Sequence, residues 1–329
     1  MKRQISVPLF LALLFPSFLW QWNTEKPEVT LEEITPFGNK VKGSIFSAYG
    51  IAFLPDQSIV VSDKLDYQLK KFDRFGNMVA AVGRRGKGPG EFSAGPGPIA
   101  SYNRVIAAAD FASPRVDIFS SDLKYQSTFY AQGPVFDLQF DAGGDLWVGA
   151  LSGAKDKLLF KCNISGRVLQ TVPLRNARGD MFADIFTFTI NSEGKIIIAY
   201  AVQNKVEIWD TSGNFYREFS VPGLPPEPKY HLLSGGIFSK GLKVPDGNIF
   251  WRVAADRKGR IFLLCADYTS HPDRDVYVLE PSGKYVTEFE LPAQSKRVQY
   301  IAIDRNGFLF TIEDERSFVK KYRLQYRGF

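Results

Sequence analysis

The sequence predicts an all-β fold, a six-bladed β-propeller closed by an N-terminal strand. Three observations lead there. A unit of about 40–50 residues recurs along the body of the chain, the period of a four-stranded blade. Nearly every predicted turn sets Asp, Asn or Ser before Gly, which suits tight turns through side-chain acceptors and positive φ. Aromatic residues fill 14% of the 329 positions, mostly as Phe and Tyr, which favour strands over helices. A propeller of this length folds as one unit.

The first unit spells out the grammar. Gly50 to Leu54 is an apolar run, and Pro55 to Gln57 is a turn. Ser58 to Ser62 is largely β-branched, Asp63 to Tyr67 is polar, and Gln68 to Phe72 alternates. Asp73 to Asn77 is a turn in which Gly76 can supply positive φ. Met78 to Val82 closes the unit. The same pattern runs from Pro98 to Tyr130, Phe136 to Leu174, Phe186 to Val221 and Ile249 to Leu291, and restarts at Gln299. Turns of this kind begin at Asp141, Asn163, Asn191, Asp210, Asp256, Glu280 and Asp304.

The last unit runs out of chain after its third strand. A propeller must close its ring to hide sheet edges. Val29 to Ile34 reads as a strand without a partner, so it is expected to pair with Phe318 to Tyr322 and complete the sixth blade. The propeller thus occupies residues 29–329. Pro222 to Asn248 is an insertion rich in Pro and Gly, too polar and broken to be a blade. Loops of that length are commonly functional.

Residues 1–22 read as a signal peptide or an N-terminal membrane anchor. Met1-Lys2-Arg3 is a basic head, and Ile5 to Trp20 is an apolar run shorter than a comfortable bilayer span. The basic residues precede the run, so the propeller is expected outside the cytoplasm, periplasmic or extracellular. No small-residue cleavage site stands out, while Trp20 and Trp22 suit a membrane interface, so cleavage and retention as an anchor both stay open.

The net charge is +6, or +4 without Lys2 and Arg3, and no long run of like charge occurs. That composition does not point to nucleic acid. Cys162 and Cys265 fall in predicted strands and lack the spacing of a metal or redox motif, so they read as buried apolar thiols. No cofactor is expected.

The candidate site follows from topology. In a propeller the innermost strands line a channel, and the links between blades share its mouth. The residues opening the innermost strands are Tyr49, Pro98, Phe136, Phe186, Trp251 and Tyr300. This aromatic set is either packing between blades or a ring that holds an apolar or sugar-like group. Gly83 to Gly90 resembles a phosphate loop but lacks the Gly-Lys-Ser/Thr ending, so it reads as an inter-blade link. Its Arg84, Arg85 and Lys87 are expected on the ligand face, where they could meet an acidic partner. Asp63, Asp110, Asp267 and Asp314 recur at one position and are expected to cap the turn after the second strand. Asp267, His271, Asp273 and Asp275 crowd one loop without the spacing of a calcium loop and read as solvated. Asn163 to Ser165 is a formal glycosylation sequon.

Blade one carries a family resemblance. Val61-Ser-Asp63, the Phe72-Asp73-x-x-Gly76 turn, and Gly86-x-Gly88-x-Gly90-x-Phe92 together resemble an NHL repeat. Blade two keeps Asp110, Arg115 to Phe119 and Asp122 but not the glycine link, and later blades keep only the turns. The chain is similar to bacterial six-bladed NHL-type propellers found behind export signals. The resemblance implies the fold and a general binding role, and it names no substrate.

The expected function is therefore a non-enzymatic binding module presenting one loop-rich face to a protein, peptide or carbohydrate partner. The alternative is a hydrolase or lyase of the lactonase-like propeller type using a metal in the channel. Channel metals of that type need converging Glu, Asn and Asp, or several His in the amidating lyases. Here only Asp137 and Asp184 stand near the mouth, and the two histidines, His231 and His271, fall in loops. Export has a direct test. Alkaline phosphatase needs an oxidising compartment, so fused to the C-terminus it should be active; an inactive fusion made at normal levels would refute export.

Overall fold

The computed structural model describes residues 27–34, 37, 44–152, 158–180, 182–235, 238–265, 274–292, 298–313 and 318–329. Six four-stranded antiparallel sheets form from 26 strands, with one added hairpin. Blade one is β2 (Ala48–Phe53), β3 (Ile59–Asp63), β4 (Gln68–Phe72) and β5 (Met78–Val82). Blade two is β6 (Pro96–Tyr102), β7 (Val105–Asp110), β8 (Arg115–Ser120) and β9 (Tyr125–Tyr130). Blade three is β10 (Val135–Phe140), β11 (Leu146–Ala150), β12 (Leu159–Cys162) and β13 (Val168–Val172). Blade four is β14 (Phe186–Ile190), β15 (Lys195–Tyr200), β16 (Val206–Asp210) and β17 (Phe215–Phe219). The hairpin β18 (Tyr230–Gly235) and β19 (Phe238–Pro245) fills the predicted insertion. Blade five is β20 (Phe250–Ala255), β21 (Ile261–Cys265), β22 (Asp275–Leu279) and β23 (Tyr285–Glu290). Blade six is β24 (Val298–Ile303), β25 (Phe308–Glu313), β26 (Phe318–Arg327) and, from the other end of the chain, β1 (Glu28–Glu33).

The closing strand pairs as the missing fourth strand requires. Val29 faces Tyr326 and Glu33 faces Tyr322, and the Ile34 N–H donates to the Lys321 carbonyl at 2.8 Å. Val29 packs into one apolar cluster with Tyr322, Leu324, Val298 and Phe262, so the closure is also a piece of core. Neighbouring inner strands touch around the full circle, from β2 through β6, β10, β14, β20 and β24 back to β2.

The turn chemistry is the one the sequence announces. Gly76, Gly144, Gly166, Gly194, Gly213, Gly259, Gly283 and Gly307 all have positive φ. At Asp73 one carboxylate oxygen accepts from the N–H groups of Phe75 and Asn77, both at 2.9 Å, and Asp141, Asp210, Asp256 and Asp304 repeat this. The link from blade one to blade two is structural. Phe92 is fully buried between the blades, stacked on Phe119. Gly83 sits at φ 111°, where a Cβ would come 2.5 Å from the Tyr67 carbonyl oxygen.

The recurring aspartates act differently from the sequence expectation. Asp63 does not cap the turn after its own strand. Its oxygens accept from the N–H groups of Phe46 at 2.8 Å and Ser47 at 2.9 Å, in the segment that enters the blade. Asp110 likewise holds Ser93 and Ala94. The reason is register: Asp63 lies opposite Ala48 and Asp110 opposite Pro96, the first residues of the inner strands. A carboxylate there reaches the chain just upstream. Seven residues after the end of the second strand a second buried polar group supports the first. Lys70 binds Asp63 at 2.9 Å, Glu207 accepts from the Tyr200 hydroxyl at 3.0 Å, and Lys320 binds Glu313 at 3.1 Å. Asp267, His271, Asp273, Asp314 and the segment 1–22 lie outside the described residues.

Asp63→Ala should cost about 3–5 kcal/mol, because it strands the N–H groups of Phe46 and Ser47 and leaves buried Lys70 with Asp66 as its one remaining carboxylate beside the Ser44 carbonyl. Denaturant titration reads the loss, with exposed Asp122→Ala as a control within about ±0.5 kcal/mol. A loss near the control value would remove the clamp from the account.

Candidate functional site in the channel mouth

Five of the six inner strands break register where they enter the blade. The irregularities fall between Ala48 and Gly50, Pro96 and Ile99, Val135 and Asp137, Phe250 and Arg252, and Val298 and Tyr300. Only β14 of blade four pairs without one. A bulge re-aims a side chain and bends its strand. The residues left in the bulges are Tyr49, Gly97 with Pro98, Phe136, Trp251 and Gln299, and Phe186 holds the matching place in blade four. One step deeper lie Gly50, Ile99, Asp137, Thr187, Arg252 and Tyr300. Both layers line a cavity of about 160 Å³ on the channel.

The structure thus brings together all six residues that the sequence put at the mouth, with one shift of level. Tyr300 belongs to the deeper layer, and Gln299 holds the upper place in blade six. The upper aromatics are partly spent on packing. Phe136 meets Phe186 edge to face at 4.8 Å, and Tyr49 meets Phe111 at 5.3 Å. Arg84, Arg85 and Lys87 do not line the cavity. They lie on the link between β5 and β6, where Arg84 is highly exposed and pairs with Glu91 at 2.6 Å, and Arg85 lies over the Tyr67 ring. The Gly88 N–H and Arg84 hold the Glu91 carboxyl below its usual range. The backbone of this link is fixed by Arg115, which donates to the carbonyls of Lys87 at 3.2 Å and Gly88 at 2.6 Å.

The sequence reading placed Asp137 near the mouth but missed Arg252, its partner at the centre of the site. Arg252 of blade five reaches Asp137 of blade three at 2.8 Å. Asp137 also accepts from the Thr187 hydroxyl at 3.2 Å and the N–H groups of Phe188 at 3.0 Å and Leu138 at 2.9 Å. Arg252 lies 4.6 Å from the centre of the Tyr300 ring and makes a long 3.5 Å contact with its hydroxyl, which donates in turn to the Ile51 carbonyl at 3.4 Å. Burial opposes the charge on Arg252, but Asp137 outweighs it, so the guanidinium stays above its ordinary range. The signal was available: Asp137 and Arg252 are single opposite charges in inner strands otherwise nearly free of charge. Ile99, Arg252 and Tyr300 also border a second cavity of about 210 Å³ deeper in the channel, and so form the constriction between the two.

The other candidates lie elsewhere. Asp184 accepts from the N–H groups of Arg178, Gly179 and Asp180 and is absent from the cavity wall. His231 pairs with Asp246 at 2.5 Å in the β18–β19 hairpin. Cys162 and Cys265 are buried free thiols, and burial pushes Cys162 up to about 12. Among the described residues no group of three or more His, Cys, Asp or Glu is placed to hold a metal ion.

The chain is a six-bladed β-propeller with a walled cavity at the mouth of its channel. No protein family and no curated protein matches its sequence. Solved propellers match over nearly its whole length. A streptogramin B lyase structure is 12% identical, with TM-score 0.56 over 90% of this chain and 98% of that one. A gluconolactonase from Xanthomonas campestris is 12% identical, with TM-score 0.59 over 92% of this chain and 95% of that one. A catalytically inactive virginiamycin B lyase from Staphylococcus aureus with Quinupristin is 12% identical, with TM-score 0.55 over 90% and 89%. At such identities the likeness concerns the fold alone.

Proposed function

We propose that this propeller is a non-enzymatic binding module of the cell exterior, NHL-like in its first blade, which anchors a group of a protein, peptide or carbohydrate partner in the mouth cavity. The observation that carries the reading is the two-layered wall. Five bulges turn residues into one cavity, and a cross-channel ion pair fixes its floor. Side chains held by packing and hydrogen bonds suit recognition without rearrangement. Asp137, the one carboxylate of the wall among the described residues, is already engaged on both oxygens, which suits it to holding Arg252 rather than taking a substrate proton. Exposed Arg84 and Arg85 and the β18–β19 hairpin extend the same face for a larger partner. The second reading is the channel-metal hydrolase or lyase set out from the sequence; the gluconolactonase and the streptogramin B lyase share its fold.

The test is partner capture from the envelope fraction of the source organism by immobilised protein. Tyr49→Ala combined with Trp251→Ala should abolish capture. Arg84→Ala with Arg85→Ala should weaken it by roughly 1 kcal/mol or more. Stability should change by no more than about 0.5 kcal/mol for the arginine pair. Chelator should leave capture intact. Loss of binding on metal removal would favour the enzyme reading. Capture indifferent to the mouth but lost on substitution of Asp56, Asn191 or Asp304 would move the working face to the opposite side.

A further inference from the structure

The chain enters the propeller from the face opposite the mouth. Glu28, where β1 begins, stands opposite Arg327, and the neighbouring Tyr326 hydroxyl reaches Asp256 at 3.5 Å. Asp256 opens the turn from β20 to β21, at the far end of β20 from its mouth residue Trp251. Charge is unevenly spread over these far turns. Blade five presents exposed Arg257 and Lys258, and blade six exposed Arg305. Across the ring, the matching turns, Asp141 to Asp145 of blade three and Asn191 to Gly194 of blade four, hold acids and no base. Near the start of β1 the basic turns are joined by exposed Arg327 and by Phe329, 46% exposed beside Arg260. Blade one adds Arg74, set over the ring of exposed Phe75. Asp256 is committed to Arg260 and Asp304 to its own turn N–H groups, so the outward charge of these two turns is basic.

We infer that this face rests on an anionic membrane surface, with Arg257, Lys258, Arg305 and Arg327 on lipid headgroups, Phe329 at the interface, and the mouth turned away. The inference rests on residues 1–22 being a retained anchor and is independent of what the mouth binds. The length of the upstream chain supports it. Seven residues, Gln21 to Pro27, separate the apolar run from β1, and such a link spans ~25 Å at most. A strand of six residues covers ~20 Å, so a mouth-down placement would use most of the link to pass one blade. A tether on the far face brings that face to the bilayer first. Charge supports it too, because Lys and Arg near an anionic bilayer are each attracted to it and apolar side chains beside them add burial at the interface. The mouth then opens toward soluble partners rather than into lipid.

The full chain reconstituted in vesicles tests it by fluorescence transfer to a headgroup-labelled lipid. One protein carries a dye at Asn306→Cys in the blade six turn, and a second carries it at Lys87→Cys on the mouth side. The native thiols, Cys162 and Cys265, are buried and should not compete for the dye. In phosphatidylcholine vesicles containing phosphatidylglycerol, transfer should be at least about twofold stronger from Asn306, since the mouth label stands ~20 Å further out. Arg257→Ser with Lys258→Glu gives blade five the Ser192-Glu193 of the blade four turn, so the melting temperature should not change. The same variant should lower the ratio of docked to undocked protein about fivefold per basic residue removed, read as weaker transfer from Asn306. Flotation separates the two readings. Protein that fails to float with the vesicles would overturn the anchor and the docking together. Equal or reversed transfer from floating protein would overturn the orientation and leave the anchor standing. Transfer unmoved both by the variant and by omission of phosphatidylglycerol would overturn the headgroup contact.

Discussion

The pairing of β1 with β26 is the constraint on which the rest of the molecule depends. Six blades placed around an axis leave two unsatisfied edges unless the ring closes, and the chain closes it with residues from its opposite end. Val29 then joins the cluster built by blades five and six, so the closure ties sheet pairing to apolar burial. Only a closed ring holds the inner strands at fixed distances from one axis. The mouth cavity, whose wall draws on every blade, exists because of that geometry.

Within the ring, polar groups do the local positioning. Asp63 and Asp110 reach back to the chain entering their own blades, and Glu207 does the same for Arg175 and Asn176 from a third strand. Each clamp fixes where an inner strand begins. In blades one and two a bulge follows at once, so there the clamps set the position from which the mouth side chains project. At the centre, Thr187, Asp137, Arg252, Tyr300 and Ile51 form a connected polar chain across blades four, three, five, six and one. Buried charges are tolerable only when so compensated.

The repeat, the turns and the closing strand were legible because each rests on local chemistry. Acid-to-Gly turns and β-branched runs declare themselves over a few residues, and a last unit lacking one strand demands its partner. The mouth was legible in outline, since Tyr49, Phe136 and Trp251 stand where inner strands start. What escaped depends on register. A bulge leaves no composition signal, so Gln299 and Tyr300 were one level apart from their expected places. The acids at Asp63 and Asp110 looked like turn caps because their partners lie 16 or 17 residues upstream. Arg252 and Asp137 come from different blades, and only the closed ring brings them to 2.8 Å.

Amide hydrogen exchange over β1 addresses the closure most directly. If β1 completes the sixth blade, the amides of Val29 to Glu33 that face β26 should exchange only through sub-global or global opening, with protection comparable to that of β25. Exchange across Val29 to Glu33 at the rate of an unstructured peptide, while β24 and β25 stay protected, would contradict a ring closed by this strand.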